Sequence, residues 1–271
     1  MALWQAGDLE VNGLRLHYTR TGGSKPPVVL THGFSDDGFC WTPVAKLLEP
    51  DYDVIMLDAR GHGRSDGPEQ GYGQSDHAAD VAGVITGLGL HKPAVLGHSM
   101  GAATALALAG LYPDLPGAIL LEDPPAWWVA GVQPGLNPEW RTRMRASIVA
   151  LKRKTREELI AGEHAASPAW SEAELGPWAD SKLRLSFNVL NLNNAPTEDW
   201  PALVKKITCP ILLITADPAR GAIVTAEGAA ALQTLLPQTR VVHLPGAGHN
   251  IRREQFDRYM ETVRSFLAEM K

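Results

Sequence analysis

The stretch PAVLGHSMGAATALAL, residues 93–108, indicates how this chain folds. The apolar run before Gly97 is typical of a buried strand, and the Ala- and Leu-rich run after Gly101 is typical of a helix. Between them the pattern G-x-S-x-G places Ser99 on a sharp strand-to-helix turn, which exposes the hydroxyl above a sheet. The stretch therefore predicts a nucleophilic serine at position 99.

A second segment, residues 63–67, also fits G-x-S-x-G and places Ser65 at its centre. No apolar run precedes it, and it continues into Pro68 and a polar stretch instead of a helical pattern. A nucleophile turn needs a strand before it and a helix after it. We therefore predict that Ser65 is a loop residue.

Apolar runs alternate with helical patterns along the chain, which is typical of a mostly parallel sheet covered by helices. Helices are predicted from Asp76 to Leu88 with Ser75 as cap, from Met100 to Leu111, from Thr225 to Leu236 and from Glu254 to Met270. The fold class is α/β, with an expected eight-stranded sheet. The apolar runs read as strands are Leu14–Tyr18, Pro27–Thr31, Val54–Leu57, Ala94–Leu96, Ala118–Leu121, Ile211–Thr215 and Val241–Leu244.

The interval from 124 to 206 interrupts this alternation because it has helical and irregular patterns but no convincing strand. An insertion of this size is too long for a bare loop in a compact domain. We therefore predict a core domain made of residues 1–123 and 207–271, with a helical cap at 124–206. Six of the eight tryptophans lie in the cap segment, and Trp127 and Trp128 are predicted to line an apolar acyl pocket together with Phe34.

Composition excludes several classes of protein. The chain has 271 residues, a net charge of −5 and 45% hydrophobic residues, without a cluster of Lys and Arg, so no nucleic-acid partner is expected. No apolar run approaches the length of a membrane span, and residues 1–13 do not resemble a signal peptide. Cys40 and Cys209 are predicted to be buried and unbridged. We expect a cytoplasmic protein, of an oligomeric state that the sequence leaves open.

Acyl transfer needs two backbone N–H groups aimed at the tetrahedral oxyanion. The residue after the nucleophile, Met100, supplies one of them in this type of turn, and the loop after the third strand supplies the other. Thr31 leads directly into His32-Gly33-Phe34, so the second donor is predicted to be the N–H of Phe34. His32 itself is predicted to have a structural role.

The general base is predicted to be His249. The apolar run ending at Leu244 continues into the glycine-rich segment 245–248, a turn able to bring the next residue back over the sheet. His243 lies within the run and His98 is the variable residue of the Ser99 motif, so both are predicted to be structural. The nine histidines include no pair with metal-ligand spacing beside a carboxylate, and no metal is expected.

Two carboxylates compete for the third role, which is to orient the base and stabilise its charged form. Asp217 follows the run 211–216, and Asp123 follows the run 118–121 by way of Glu122. The end of the penultimate strand is the commoner place for this acid, so Asp217 is favoured. Asp123 is the alternative, and its competing role is to cap the chain where it leaves the sheet.

Four segments carry a family resemblance over nearly the whole chain, in order and at suitable spacing: residues 30–34, 58–65, 97–101 and 246–249. On these the chain resembles the cap-bearing α/β-hydrolases, and within them the carboxylesterases. Residues 215–218 and 249–256 are also similar to segments of the N-acyl-homoserine lactonases built on this fold. The resemblance implies a serine esterase or lactonase of EC 3.1.1 type, acting on a small ester or lactone without a cofactor.

A serine nucleophile argues against dehalogenases and epoxide hydrolases, which need an aspartate in its place. The reaction expected is ester or lactone hydrolysis through an acyl-enzyme, with ring opening of N-acyl-homoserine lactones as the most specific prediction. Fold alone does not decide function. The alternatives with the same three residues are a C–C bond hydrolase, a cofactor-free perhydrolase and a small-molecule receptor.

Overall fold

A computed structural model describes residues 4–129, 132, 138–191 and 198–270. In this part of the chain eight strands form one sheet with the order β1-β2-β4-β3-β5-β6-β7-β8. The strands are β1 Gln5–Val11, β2 Leu14–Arg20, β3 Pro27–Thr31, β4 Asp53–Leu57, β5 Ala94–His98, β6 Ala118–Glu122, β7 Ile211–Thr215 and β8 Thr239–His243. The predicted α/β class with a mostly parallel eight-stranded sheet is confirmed.

Helices connect the strands and cover both faces of the sheet. They are α1 Thr42–Leu48, α2 Gln74–Gly87, α3 Met100–Leu111, α4 Pro138–Lys152, α5 Arg156–Ala166, α6 Glu172–Arg184, α7 Trp200–Val204, α8 Ala226–Leu235, α9 Ile251–Glu254 and α10 Phe256–Ala268. Short 3₁₀ turns lie at Gly38–Trp41, Phe187–Leu190 and Pro218–Arg220.

Strands β3 to β8 are parallel, whereas β1 and β2 form an antiparallel hairpin that joins the sheet through β4. The apolar runs predicted all but one of the strands, and they missed β1. This edge strand reads QAGDLEV and has mostly exposed or half-exposed residues. An edge strand of an antiparallel pair needs only one apolar face, so it lacks the continuous apolar run of a buried strand.

The helix predictions hold within one or two residues, apart from their caps. α2 begins two residues earlier than expected, and its N-cap is Gly73 instead of Ser75. The Asp76 carboxylate accepts the Gly73 N–H at 2.9 Å, because an acidic side chain at this position reaches back to the first residue of the helix. Near the C-terminus a break at Gln255 separates α9 from α10.

Successive strand residues point to opposite faces of the sheet, and each face has its own core. Val29 packs with α2, α3 and α8, whereas Val28 and Leu30 pack with α1 and α10 on the other face. All three are completely buried. Burial of such a side chain contributes about 1.5–3 kcal/mol, so the strand register, and with it the position of each strand end, is strongly fixed.

The described residues between β6 and β7 form helices and turns, without a strand. The domain boundaries expected at 124 and 206 stay a prediction. Both ends of this interval pack into the core, where Trp128, Leu203 and Val204 are buried with the residues of α3. Helices α4, α5 and α6 form the middle of the segment. We therefore propose α4 to α6 as the cap, with boundaries inside those predicted.

Candidate active site

Ser99 lies between β5 and α3 with φ 51° and ψ −113°. A positive φ is rare for a residue with a side chain and is tolerated mainly where the surrounding structure enforces it. The Ser99 N–H donates to the Glu122 carbonyl at the end of β6, at 2.9 Å. The strand-to-helix turn predicted for Ser99 is therefore present, with the serine half-buried at the carboxyl edge of the sheet.

Two glycines make this turn possible. A Cβ on Gly97 would lie 2.3 Å from the Gly101 carbonyl carbon, and a Cβ on Gly101 would lie 2.1 Å from the Thr31 carbonyl oxygen. Any side chain would collide with backbone at both positions. The motif glycines therefore allow α3 to begin directly against β3 and β5.

His249 follows the loop after β8, and its Nδ1 lies 2.6 Å from Asp123 Oδ2. The carboxylate can only accept, so Nδ1 carries the proton and Nε2 is left with its lone pair. The Asp123 side chain is completely buried, and that of His249 is 30% exposed. This pair has the arrangement of a base that is open to substrate and oriented by an acid behind it.

Two backbone N–H groups also donate to the Asp123 carboxylate. Val224 N donates to Oδ1 at 2.9 Å, and Ile223 N lies 2.8 Å from Oδ2 and 3.0 Å from Oδ1. Asp123 itself has φ 44°, a conformation that Asp tolerates better than most residues. The segment before α8 thus fixes the carboxylate in the plane that faces His249.

The prediction that Asp217 is the partner of His249 is wrong for this structure. Asp217 pairs instead with His243 Nε2 at 3.0 Å and accepts the Gly246 N–H at 2.8 Å. Its side chain is 32% exposed, and the Gly246 hydrogen bond, with the nearby His243, lowers its pKa. Asp217 lies at the end of β7 and turns towards β8, so it holds the loop before His249 without contacting the imidazole.

His98, the variable residue of the motif, supports the histidine loop. Its Nε2 donates to the His249 carbonyl at 3.0 Å, and the two ring centroids lie 4.7 Å apart. Burial, together with Arg252 and His249, keeps the pKa of His98 well below its usual value, so the ring is neutral. The structural role predicted for His98 agrees with these contacts.

The loop after β3 lies against the nucleophile turn. A Cβ on Gly33 would lie 3.5 Å from the Ser99 Cβ and 2.6 Å from His98 Nδ1. His32 anchors the loop by accepting the Ala59 N–H at 3.0 Å and contacting the Gly33 carbonyl at 2.9 Å, in agreement with its predicted structural role. The backbone of Phe34 therefore directly follows a glycine that lies beside Ser99 and packs too closely against His98 to carry a side chain.

The side chain of Phe34 is half-buried beside an apolar cluster that the cap contributes to. Met144 and Ile148 come from α4, and Val189 comes from the 3₁₀ turn after α6. These residues, which sequence reasoning missed, belong to the apolar cluster against which Phe34 packs. The helical spacing of Met144 and Ile148 was the available signal, although it does not say which partner the helix covers.

The tryptophans predicted to line the pocket have other contacts. Trp128 is 2% exposed, packs in the core beside α3 and donates its indole N–H to the Gly228 carbonyl at 2.9 Å. It is therefore a core residue, and its predicted contact with substrate is wrong. Trp127 is half-buried against the Trp200 ring at 5.0 Å, and its role in binding stays a prediction.

Six buried charged side chains, which sequence reasoning also missed, lie beneath the site and form what we call the ionic cluster. Three are acidic and three are basic, and all are at most 5% exposed. The signal in the sequence was their position, because four of the six lie within four residues of Phe34, Asp123 or His249. The members are Asp36, Glu122, Glu174, Lys182, Arg252 and Arg253.

The remaining predictions concern loops, metals and membranes. Ser65 lies in a loop, where its hydroxyl donates to the Asp58 carbonyl and accepts the His17 N–H. Among the described residues, no three His, Cys, Asp or Glu side chains are grouped as a metal site would require. Within the same ranges, no helix has the length and apolar character to cross a membrane. Cys40 and Cys209 are buried and unbridged.

The family model of the α/β-hydrolase fold matches residues 26–252, and the chain belongs to this family. N-formylmaleamate deformylase of Pseudomonas putida is 28% identical to it over 96% of both chains. The 2-(acetamidomethylene)succinate hydrolase of Mesorhizobium japonicum is 27% identical over 92% of this chain and 90% of its own.

A solved enzyme that degrades N-acyl homoserine lactones superimposes with a TM-score of 0.75 and 22% identity, over 96% of this chain and all of its own. At this identity the likeness shows a shared fold and no more. The predicted family is therefore confirmed, while the specific substrate is left to proposal.

Proposed function

We propose that this protein is a serine hydrolase in which Ser99, His249 and Asp123 form the catalytic triad. One observation carries the proposal: a fully buried Asp123 carboxylate lies 2.6 Å from the half-exposed His249 ring, which packs against His98, the residue directly before the serine on the strained turn. Perturbed geometry of this kind, at a strand edge under a cap, is characteristic of sites that form covalent intermediates.

In this proposal the Ser99 hydroxyl attacks the substrate carbonyl while His249 Nε2 takes its proton. Asp123 holds the Nδ1–H and stabilises the imidazolium that forms. The N–H groups of Met100 and Phe34 bind the oxyanion, and the imidazolium then protonates the leaving group. Water, activated by the same imidazole, hydrolyses the acyl-enzyme.

The substrate class is an acyl compound small enough to fit between Phe34 and the cap. The sequence favours carboxylic esters and lactones, including N-acyl-homoserine lactones. The names of the two full-length relatives add a further class, because an N-formyl and an acetamido group each contain an acyl–nitrogen bond. We propose acyl transfer to water from oxygen or nitrogen leaving groups, with small N-acyl amides as the second candidate.

Replacement of Ser99 by Ala tests the central claim. We expect a loss of about 10⁴-fold or more in kcat for a chromogenic short-chain ester, since the members of a triad act as a unit. The thermal midpoint should change little. A fluorophosphonate should label the wild-type chain on Ser99 and leave Ser65, which fits the same motif, unlabelled. Near-normal turnover by the Ser99→Ala variant refutes the mechanism.

A matched panel identifies the bond that is cleaved. An ester, a lactone and an N-acyl amide with the same acyl group are incubated separately with the protein. The products are identified by mass spectrometry. Lactone opening adds one water to the intact molecule, whereas amide cleavage releases the amine and the acid. Two added reactions identify the alternative chemistries: cleavage of the carbon–carbon bond of a β-diketone, and formation of a peracid and free alcohol from the ester when hydrogen peroxide is supplied. Binding without multiple turnover identifies a receptor.

A further inference from the structure

The ionic cluster connects the three segments that carry the proposed catalytic groups. Asp36 lies two residues after Phe34, and Glu122 immediately precedes Asp123. Arg252 and Arg253 follow His249 by three and four residues. Each segment therefore carries a buried charged side chain within four residues of a proposed catalytic group.

Both arginines contact Asp36 and each contacts one further carboxylate. Arg252 lies 3.3 Å from Asp36 Oδ2 and 3.3 Å from Glu122 Oε2. Arg253 lies 2.9 Å from Asp36 Oδ2 and 3.1 Å from Glu174 Oε2. Charges this deeply buried are tolerated only when they are paired and hydrogen-bonded. The segments are therefore held in one arrangement relative to each other.

The cap supplies two members of the cluster, Glu174 and Lys182, both from α6. The Lys182 ammonium donates to Asp36 Oδ1 at 2.7 Å and to the Ser35 carbonyl and hydroxyl oxygens at 2.9 and 3.1 Å. Ser35 has φ 68°, a conformation that a serine adopts only under constraint. A cap lysine thus holds the residue that directly follows Phe34.

The charges support the same contact. Burial alone would raise the pKa of Asp36, but Arg253, Lys182 and Arg252 hold it well below its usual value, so this carboxylate is ionised. Asp36 retains both arginines when Lys182 is removed. Ser35, in contrast, loses the ammonium that binds its carbonyl and its hydroxyl. The effect of removing Lys182 should therefore be concentrated on the backbone of residues 33–36.

We propose that Lys182 is a positioning residue through which the cap orients the oxyanion loop, residues 33–36. By binding the Ser35 carbonyl and Asp36 together, it fixes the peptide between these two residues, whose N–H donates to the Gly33 carbonyl at 3.1 Å. The Gly33 carbonyl shares a peptide plane with the Phe34 N–H, so this N–H is aimed at the developing oxyanion. This inference rests on the proposed function. It adds that an element of the cap, distant in sequence, sets the geometry of one of the two oxyanion donors.

The test compares Lys182→Met with Asp180→Asn, a control on the same helix whose carboxylate pairs with Arg156 on the cap surface. Methionine keeps most of the aliphatic stem and removes the ammonium. We expect Lys182→Met to lower kcat by about 10- to 100-fold, less than or comparable to the loss of a whole oxyanion donor. KM should change by less than about threefold, since the loop acts on the transition state. The control should behave as the wild type.

Two inhibitors separate positioning from general damage. A boronic acid forms a tetrahedral adduct with Ser99 and uses the oxyanion donors, whereas the carboxylic acid product binds without that adduct. In Lys182→Met the inhibition constant of the boronic acid should rise by the same factor by which kcat falls, and that of the product should stay constant. Inhibition constants do not depend on the folded fraction, so partial unfolding leaves the comparison intact.

Equal changes in both constants, or no change in either, would overturn the proposal. If the methionine variant does not fold, Lys182→Gln retains a donor to Ser35 and should show the same selective loss at smaller size. Different results would contradict the proposed function and the proposed role of Lys182. Normal activity in Ser99→Ala removes the proposed function itself, whereas an inactive Ser99→Ala beside an unaffected Lys182→Met removes only the role of Lys182.

Discussion

Two aspartate–histidine pairs lie at neighbouring strand ends of the same sheet, and they differ in burial. Asp123 follows β6, is completely buried and pairs with His249 at 2.6 Å. Asp217 follows β7, is 32% exposed and pairs with His243, itself 50% exposed, at 3.0 Å. A buried carboxylate is weakly screened by water, so its effect on an imidazolium is larger than that of an exposed one.

The comparison shows that pairing with a histidine does not by itself identify a catalytic acid. Asp123 has backbone donors at Ile223 and Val224 that fix its orientation, and its histidine lies beside the Ser99 turn. Asp217 uses its second oxygen to hold the Gly246 N–H. The first pair therefore has the arrangement of the proposed base and acid, whereas the second holds the loop before His249.

The largest expected difference in kcat is between substitutions of the two histidines, His249 and His243. We expect His249→Gln to lower kcat by about 10⁵-fold or more, since loss of the base removes the proton acceptor for Ser99. His243→Gln should stay within about threefold of the wild type, because surface substitutions of this kind have small effects. Steady-state hydrolysis of one ester by both variants checks this. Comparable losses of kcat in the two variants would contradict the functional difference between the two aspartate–histidine pairs.

The second largest expected difference in kcat is between substitutions of the two aspartates, Asp123 and Asp217. Asp123→Asn should lower kcat by about 10³- to 10⁴-fold, because an amide can donate to Nδ1 and so stabilises the wrong imidazole tautomer. Asp217→Asn should cost less than about 10-fold, since an amide oxygen can still accept the Gly246 N–H. The same ester assay applies. A larger loss in Asp217→Asn than in Asp123→Asn would show that Asp217, at the end of β7, is the acid.

The smallest expected difference is in stability. Asp123→Asn should reduce the free energy of unfolding by about 1–3 kcal/mol, the range for a buried group left with imperfect partners. Asp217→Asn should leave the thermal midpoint unchanged within error, because its carboxylate is screened by water. Denaturant titration and thermal melts of both variants measure this. An equal destabilisation would indicate that Asp217 is as deeply integrated as Asp123.

The core of the fold could be predicted from apolar runs because central parallel strands are buried on both faces. Strands β3 and β7 begin and end at the predicted residues. The exposed edge strand β1 was missed for the opposite reason. The nucleophile turn could also be predicted from the sequence. Its steric requirement for Gly97 and Gly101 is local, and the motif G-x-S-x-G contains both glycines.

The partner of His249 and the residues that line the pocket were harder to predict from the sequence. Asp123 and Asp217 both follow a buried strand, so local pattern treats them alike, and the commoner position was chosen. Trp128 was assigned to the pocket because it lies in the cap segment, yet its indole donates to Gly228 in the core. In both cases the deciding partner is distant in sequence, and no local pattern records which backbone group a side chain will meet.

The sequence by itself therefore determined the α/β class and the turn at Ser99, and it selected the histidine that we propose as the base, because these depend on residues within one strand and its adjoining loop. Only the tertiary structure decided that Asp123 faces His249 and that Lys182 of the cap holds Ser35. Those contacts join residues 126 and 147 positions apart. They exist because burial of both sheet faces fixes the strand register, and the register brings such distant groups to the same edge.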